Sequence, residues 1–183
     1  MPRPTPTGVE IPLPEGTLFV SKTDARGVIV YADHTFIRVS GYSEEELISS
    51  AHSIVRHPDM PRSLFWYFWN QLQAGNEVFA YVVNLAKNGD HYWVLAHATP
   101  DFHPVTNAII GYHSCRRAAP QAAVNRVMPI YRQIIAEEKR ARPHDQCATG
   151  MAVLERILAE RGLTYEQWIF AIHSDTNPHR HAA

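Results

Sequence analysis

Val55-Arg56-His57-Pro58-Asp59-Met60-Pro61, followed further on by Lys87-Asn88-Gly89-Asp90-His91-Tyr92-Trp93-Val94, decides the reading of this chain. The first segment sets a cation, an imidazole and a carboxylate within four residues. Two prolines pin it, each fixing φ at about −65° and removing a backbone donor. The second segment is a hairpin, in which Asn88-Gly89 supplies the two positive-φ residues of a type I′ turn between strand-like runs. A sheet with a rigid polar lid follows from the pair.

Working outward, Val78 to Ala86, His91 to Thr99 and Ala108 to Arg116 read as three long strands. Upstream, Thr17 to Ser21 and Val28 to Tyr31 are short β-prone runs separated by the turn-rich Thr23-Asp24-Ala25-Arg26-Gly27, which predicts a first hairpin with Leu18 and Val20 against Ile29 and Tyr31. Between the two strand groups the period changes. Phe36, Val39 and Tyr42 recur at threes and Gly41 stops a short helix that follows Asp33. Ser43-Glu44-Glu45-Glu46 is a capping box for a second helix, to about Ser49. Pro61 opens a third, through Ala74, with Gly75 as its left-handed stop and Leu64, Phe65, Phe68, Trp69 and Leu72 as its buried stripe. The fold class is therefore α+β: a five-stranded antiparallel sheet with short helices on one face and a helix–sheet pocket as the natural ligand site.

Residues 1–16 hold five of the thirteen prolines and predict a flexible or extended leader. After residue 118 the chain becomes helical. Val124, Val127, Met128, Tyr131, Ile134 and Ile135 stripe a helix from about Pro120 to Arg140 with Pro129 as a kink, Ala148 to Arg161 forms the next, and Thr164-Tyr165-Glu166-Gln167 caps the last. The expected division is a leader (1–16), a sheet domain (17–118) and a C-terminal helical extension (119–183).

Lys+Arg 17 against Asp+Glu 18 leaves a formal charge of −1, with no excess of cations for a phosphate backbone, so nucleic acid is not an expected partner. Cys115 and Cys147 form neither a disulfide framework nor a metal motif, which fits a reducing cytoplasm. No run of eighteen apolar residues and no secretory leader are legible, so no membrane span is expected. His179 and His181, in a polar tail, carry no assigned role. His91 and His97 share a strand face about 20 Å apart and cannot bind one metal, and no metal site is predicted.

Thr35-Phe36-Ile37-Arg38-Val39-Ser40-Gly41-Tyr42 and the two opening segments resemble the PAS domain of bacterial aerotaxis receptors, over roughly Thr17 to Arg117 with a further likeness near Pro129-Ile130-Tyr131. The resemblance implies a PAS fold, non-covalent FAD, and cofactor binding by Arg56, His57 and Asp59. A second likeness, to redox-sensing PAS flavoproteins that regulate nitrogen fixation, falls on Trp69 and Asn84. An amide can match the donor and acceptor edge of an isoalloxazine, and an indole offers an apolar wall with one donor. His52, five residues before His57, reaches the same pocket or stands in a solvated turn.

Each assignment has a structural alternative. Arg56, His57 and Asp59 also form a plausible loop staple, and Asp59 can cap the helix that begins near Pro61. Asn84 has inward and outward readings; alternation puts it on one face with Val82 and Ala86. The run Phe65-Trp66-Tyr67-Phe68-Trp69 is too aromatic for one buried face, which predicts that Trp66 or Tyr67 meets a partner subunit or the leader.

No nucleophile elbow, phosphate loop, HExxH or paired-carboxylate set occurs, so the expected role is not enzymatic. It is a cytoplasmic flavin (FAD)-dependent redox or oxygen sensor in aerotaxis-like signal transduction. After the PAS-like region the resemblance ends without a membrane anchor or a long signalling hairpin, which points to output through a homodimer or a signalling partner on the C-terminal helices. Cysteinyl-adduct photochemistry is not expected, because the LOV cysteine motif is missing. The competing readings are a haem-binding gas sensor with His57 or His52 as axial ligand, and a cofactor-free interaction module.

Overall fold

The computed structural model describes residues 3–176, so His179 and His181 lie outside the described residues. Strands β1 (Leu18–Asp24), β2 (Ile29–Ala32), β3 (Val78–Leu85), β4 (His91–Phe102) and β5 (Ile109–Ala118) form one sheet in the order β2-β1-β5-β4-β3, antiparallel throughout. Between β2 and β3 lie α1 (His34–Ser40), α2 (Glu44–Leu47), a single 3-10 turn (His52–Val55) and α3 (Arg62–Gln73). Helices α4 (Gln121–Arg140), α5 (Gln146–Glu160) and α6 (Tyr165–Thr176) complete the chain. The α+β architecture expected from the sequence is present.

Local chemistry explains where each element starts and stops. Asp33 caps α1 by accepting from Phe36 N, and Gly41 ends it at φ 71°. The Ser43/Glu46 capping box is formed. Gly75, at φ 88°, closes α3, and its N–H donates to Leu72 O.

Two hairpins differ from expectation. In the first, β1 runs on to Asp24, whose carboxylate accepts from Arg26 N and Val28 N at 2.9 Å each and closes the turn. That moves the register to Ser21↔Ala32, Lys22↔Tyr31 and Thr23↔Ile29, leaving Leu18 opposite Arg117 of β5. In the second, Gly89 has positive φ but Asn88 does not. Gly89 N donates to Ala86 O and Ala86 N to Asp90 O, so the connection is a three-residue loop with a left-handed glycine rather than a two-residue type I′ turn. The Asn88 side chain bonds Asp90 at both its amide groups, which holds this longer turn.

The leader is extended but not loose. Thr7 N donates to Gly89 O, His91 N to Val9 O and Ile11 N to His91 O, tying residues 7–11 to the β3–β4 hairpin. The prolines keep it extended, and the N–H groups they leave between them pair with the hairpin. Of the two expected forms, flexible or extended, residues 7–11 take the extended one.

The chain forms two compact units: residues 1–58 with 69–118, and residues 59–68 with 119–183. In the sheet unit Phe19, Ile29, Phe36, Leu47, Tyr81, Leu85 and Tyr92 are fully buried. In the helical unit the predicted α4 stripe is buried at Val124, Val127, Tyr131 and Ile134, and α6 buries Tyr165, Trp168, Ile169 and Ile172. Helix α4 is continuous through Pro129, and Gly162 at φ 65° separates α5 from α6, where Thr164 and Gln167 form the capping box.

Residues 59–68 belong to this second unit because of two contacts. Buried Glu138 accepts from Arg62 N at 3.0 Å and Ser63 N at 2.8 Å, supplying the cap of α3 that the sequence reading gives to Asp59. Tyr67 donates to Glu166 at 2.8 Å and its ring lies 4.7 Å from that of Tyr165, so α6, not a partner subunit or the leader, covers it. Trp66 is half exposed.

Candidate functional site

Strand alternation and register define the face of the sheet that meets α1 and the 3-10 turn. One cross-strand row runs Phe19–Arg116–Ala96–Ala80 and the next Ser21–Ser114–Ala98–Val78. Small side chains therefore occupy the centre of this inner face, where a flat group can approach the backbone closely. Large or polar residues stand at its ends. Tyr92 faces Asn84 at one end, and Tyr112 faces Thr23 at the other.

The polar centre is Arg116, which the sequence reading did not single out. It is 3 % exposed. Nη2 donates to Ser21 Oγ at 2.9 Å and to His52 Nε2 at 2.5 Å. The guanidinium carbon lies 4.9 Å from the Phe36 ring centroid and 5.6 Å from that of Phe19. Among the described residues no carboxylate forms an ion pair with it. Asp33, the nearest acidic influence, has its oxygens taken by Phe36 N at 2.7 Å and Val20 N at 2.8 Å. Burial lowers the Arg116 pKa to about 10, with Tyr92 and Asp33 pulling it back up, and it remains a cation.

His52 answers to that charge. A guanidinium has only donors, so Nε2 must accept, which fixes the neutral imidazole with its proton on Nδ1. Burial first, and the neighbouring Arg116 second, lower its pKa to about 3. Its ring stacks on Phe36 at 6.0 Å. His52 thus reaches the inner face instead of standing in a solvated turn, but it does not share a pocket with His57 there.

Four side-chain donors on this face have no hydrogen-bond partner among the described residues: Asn84 Nδ2, Tyr92 OH and Arg116 Nη1, and Thr23 Oγ1 at the Tyr112 end. Asn84 is 3 % exposed and lies inward, opposite Tyr92. Burying an unsatisfied group costs about 1–3 kcal/mol. Four such groups on one face are what a ligand-binding surface looks like from the protein side.

The other predicted residues separate into places. Arg56 forms an antiparallel bridge with Asn84 at the free edge of β3, so their side chains share a face. Alternation turns His57 the other way, and its buried ring lies 5.6 Å from that of His91, a residue of the opposite sheet face. Asp59 is exposed and belongs to the helical unit. Trp69 meets Tyr112 at a tilt of 52° with ring centroids 4.8 Å apart and stands over Gly27, where a Cβ would lie 3.1 Å from the indole. Gly27 also needs its φ of 80° to close the β1–β2 turn. Tyr112 opposes Pro100, eight residues along β4 from Tyr92, or about 26 Å. Trp69 and Asn84 therefore mark opposite ends of the face and do not flank a single ring. Cys115 opposes His97 on the outer face, away from this surface, and among the described residues no group of acidic, histidine and cysteine side chains could hold a metal.

The comparisons agree with this geometry. Residues 29–113 match the family model of the PAS fold. The aerotaxis receptor of Escherichia coli is 39 % identical over 141 residues, 77 % of this chain and 28 % of the receptor. A match of that length extends beyond the 120 residues that precede α4 and takes in part of the helical unit. The nitrogen fixation regulatory protein of Klebsiella pneumoniae is 29 % identical over 90 residues, 49 % of this chain and 18 % of that protein. The chain thus spans under a third of the length of either relative.

Two solved structures share the fold. One is the PAS domain of a protein from Colwellia psychrerythraea, with TM-score 0.52, 16 % identity, and 57 % of this chain and 87 % of that one covered. The other is the light state of the blue-light photoreceptor Aureochrome1 LOV, with TM-score 0.52, 19 % identity, and 55 % and 80 % covered. Fold, family match and relatives together identify the sheet unit as a PAS domain resembling that of the aerotaxis receptor.

Proposed function

We propose that the PAS domain binds FAD non-covalently against the inner face of its sheet and reports the flavin's redox state in a cytoplasmic signalling pathway. The observation that carries the reading is three of the four buried, unpartnered donors, Asn84 Nδ2, Tyr92 OH and Arg116 Nη1, beside a floor of alanines and serines. An isoalloxazine offers flat apolar faces and an acceptor-rich edge that such a surface suits. Bound flavin supplies reversible electron transfer with a change of charge and protonation at its ring nitrogens.

The chain's own residues divide the work. Asn84 presents a donor and an acceptor to the ring edge, and Arg116 a fixed positive charge. Arg56, on the same side at the edge of β3, offers a cation to the pyrophosphate, which favours FAD over FMN. His57, buried against the His91 ring, holds the segment that carries Arg56, and Trp69 walls the far end. The role is read as sensing rather than catalysis: the Ser21 hydroxyl and the His52 imidazole that meet on this face are both held by the Arg116 guanidinium.

The names of the relatives, an aerotaxis receptor and a nitrogen fixation regulator, support a signalling role. Output passes through a second copy of the chain or a partner docked on the C-terminal helices. A redox change acts only through contacts that differ between the two states, and the hydrogen bonds of Asn84 and Arg116 are those contacts. The test is the visible spectrum of the purified protein with chromatography of the released chromophore. An oxidised-flavin spectrum and FAD on release are expected. A Soret band, or a colourless protein that does not take up added FAD, overturns the reading.

A further inference from the structure

We infer that Arg116 makes the inner face selective for an anionic ring, so that it binds reduced flavin more tightly than oxidised flavin and raises the midpoint potential. This rests on the flavin reading above and adds which redox form the site prefers. Three observations lead to it. The guanidinium is buried without an ion-pair partner among the described residues, although Asp33 is near enough to influence it. One arm is fully used on Ser21 and His52, whereas Nη1 is buried with no partner. The groups around it are neutral acceptors or aromatic faces, Phe19, Phe36, Ser21 and His52, none of which cancels its charge.

A buried charge left without a counter-charge is costly. That cost is offset if the counter-charge arrives with the ligand. Oxidised flavin is neutral at its ring. Taking up two electrons and one proton gives a ring with one negative charge, and that charge is what Nη1 can meet. His52 serves as a positioning residue: its neutral Nε2 holds Nη2 and leaves Nη1 turned to the ligand. A second cation there would repel Arg116, and an acid would neutralise it.

The experiment compares the parent chain with Arg116→Met and Arg116→Lys. Midpoint potentials are measured against a reference dye, and FAD affinity in both redox states by equilibrium titration. Arg116→Met is expected to lose at least tenfold of the preference for reduced FAD, a midpoint about 30 mV lower for a two-electron couple, while Arg116→Lys keeps more of it. The melting temperature of the cofactor-free chain separates this from a structural role. Arg116→Met is expected to melt at or above the parent, since Ser21 Oγ and His52 Nε2 already bond each other at 3.3 Å and keep that bond once the arginine is gone.

A parent that binds FAD and an Arg116→Met variant of unchanged potential overturn the inference while the flavin reading stands. So does a cofactor-free Arg116→Met chain that melts well below the parent. A parent that binds FAD in neither state overturns both.

Discussion

Glu138 should be among the most stabilising side chains of the helical unit. Its carboxylate, 4 % exposed, accepts from Arg62 N at 3.0 Å and Ser63 N at 2.8 Å, the first two amides of α3. Glu138→Ala leaves both amides without that acceptor in a buried setting. A hydrogen bond to a charged group contributes about 1.5–3 kcal/mol, and loss of a helix cap alone costs about 1 kcal/mol. Since the two bonds are not independent, a loss of about 3–5 kcal/mol is expected. With a urea slope of about 1–3 kcal/mol per molar, the denaturation midpoint falls by roughly 1–5 M. Glu138→Gln keeps one acceptor but turns an NH2 toward a donor, and should lose about half as much. Gly150 supplies an independent check. A Cβ there would lie 2.7 Å from Glu138 Oε1 and closer still to Ser63 Oγ, so Gly150→Ala should cost about 1–3 kcal/mol by overpacking. Because the methyl acts through the same carboxylate, the double variant must lose less than the sum of the singles. A Glu138→Ala midpoint within error of the parent, or strict additivity with Gly150→Ala, refutes this account of the cap.

Two further outcomes follow from the sheet unit. The His52 pKa is lowered to about 3, against about 6.5 in an unfolded chain. Between those values the unfolded state binds more protons, so stability is complete above about pH 6.5 and falls on acidification by up to about 1.4 kcal/mol per pH unit. Urea midpoints at pH 5 and pH 7 should therefore differ less in His52→Gln than in the parent; an equal difference contradicts a buried neutral imidazole. Asp33→Ala removes both the α1 cap and the acceptor of Val20 N, and should lower stability by about 1–2 kcal/mol. A denaturation curve superimposable on the parent's would contradict it.

Much of this fold was legible because its punctuation is local. Asp33, Gly41, the Ser43/Glu46 box, Gly75 and the Thr164/Gln167 box each act within four residues, so their chemistry can be read without knowing the partners. Register is harder. The Asp24 carboxylate tightens the first turn and shifts every pair, and an Asn-Gly step that suits a two-residue turn sits instead in a three-residue loop. The leader's proline content leaves flexible and extended forms open, and the amides it retains find the hairpin.

The site was legible in part for the same reason. Strand alternation was enough to group Asn84 with Val82, and the bridge to Arg56 joins two residues named from the sequence. Arg116 was missed because its meaning depends on what it lacks. Nothing in Ser114-Cys115-Arg116-Arg117 says which arginine faces inward, although alternation from Tyr112 through Ser114 would have chosen Arg116. Glu138 was missed for a similar reason: it caps a helix that begins seventy-six residues earlier.

The central claim is that inner-face donors hold a flavin, and equilibrium titration of the cofactor-free chain with FAD, parent beside Asn84→Ala, tests it most directly. Saturable binding by the parent and at least tenfold weaker binding by the variant, about 1.4 kcal/mol, are predicted. Equal affinities, or no binding by the parent, would contradict it.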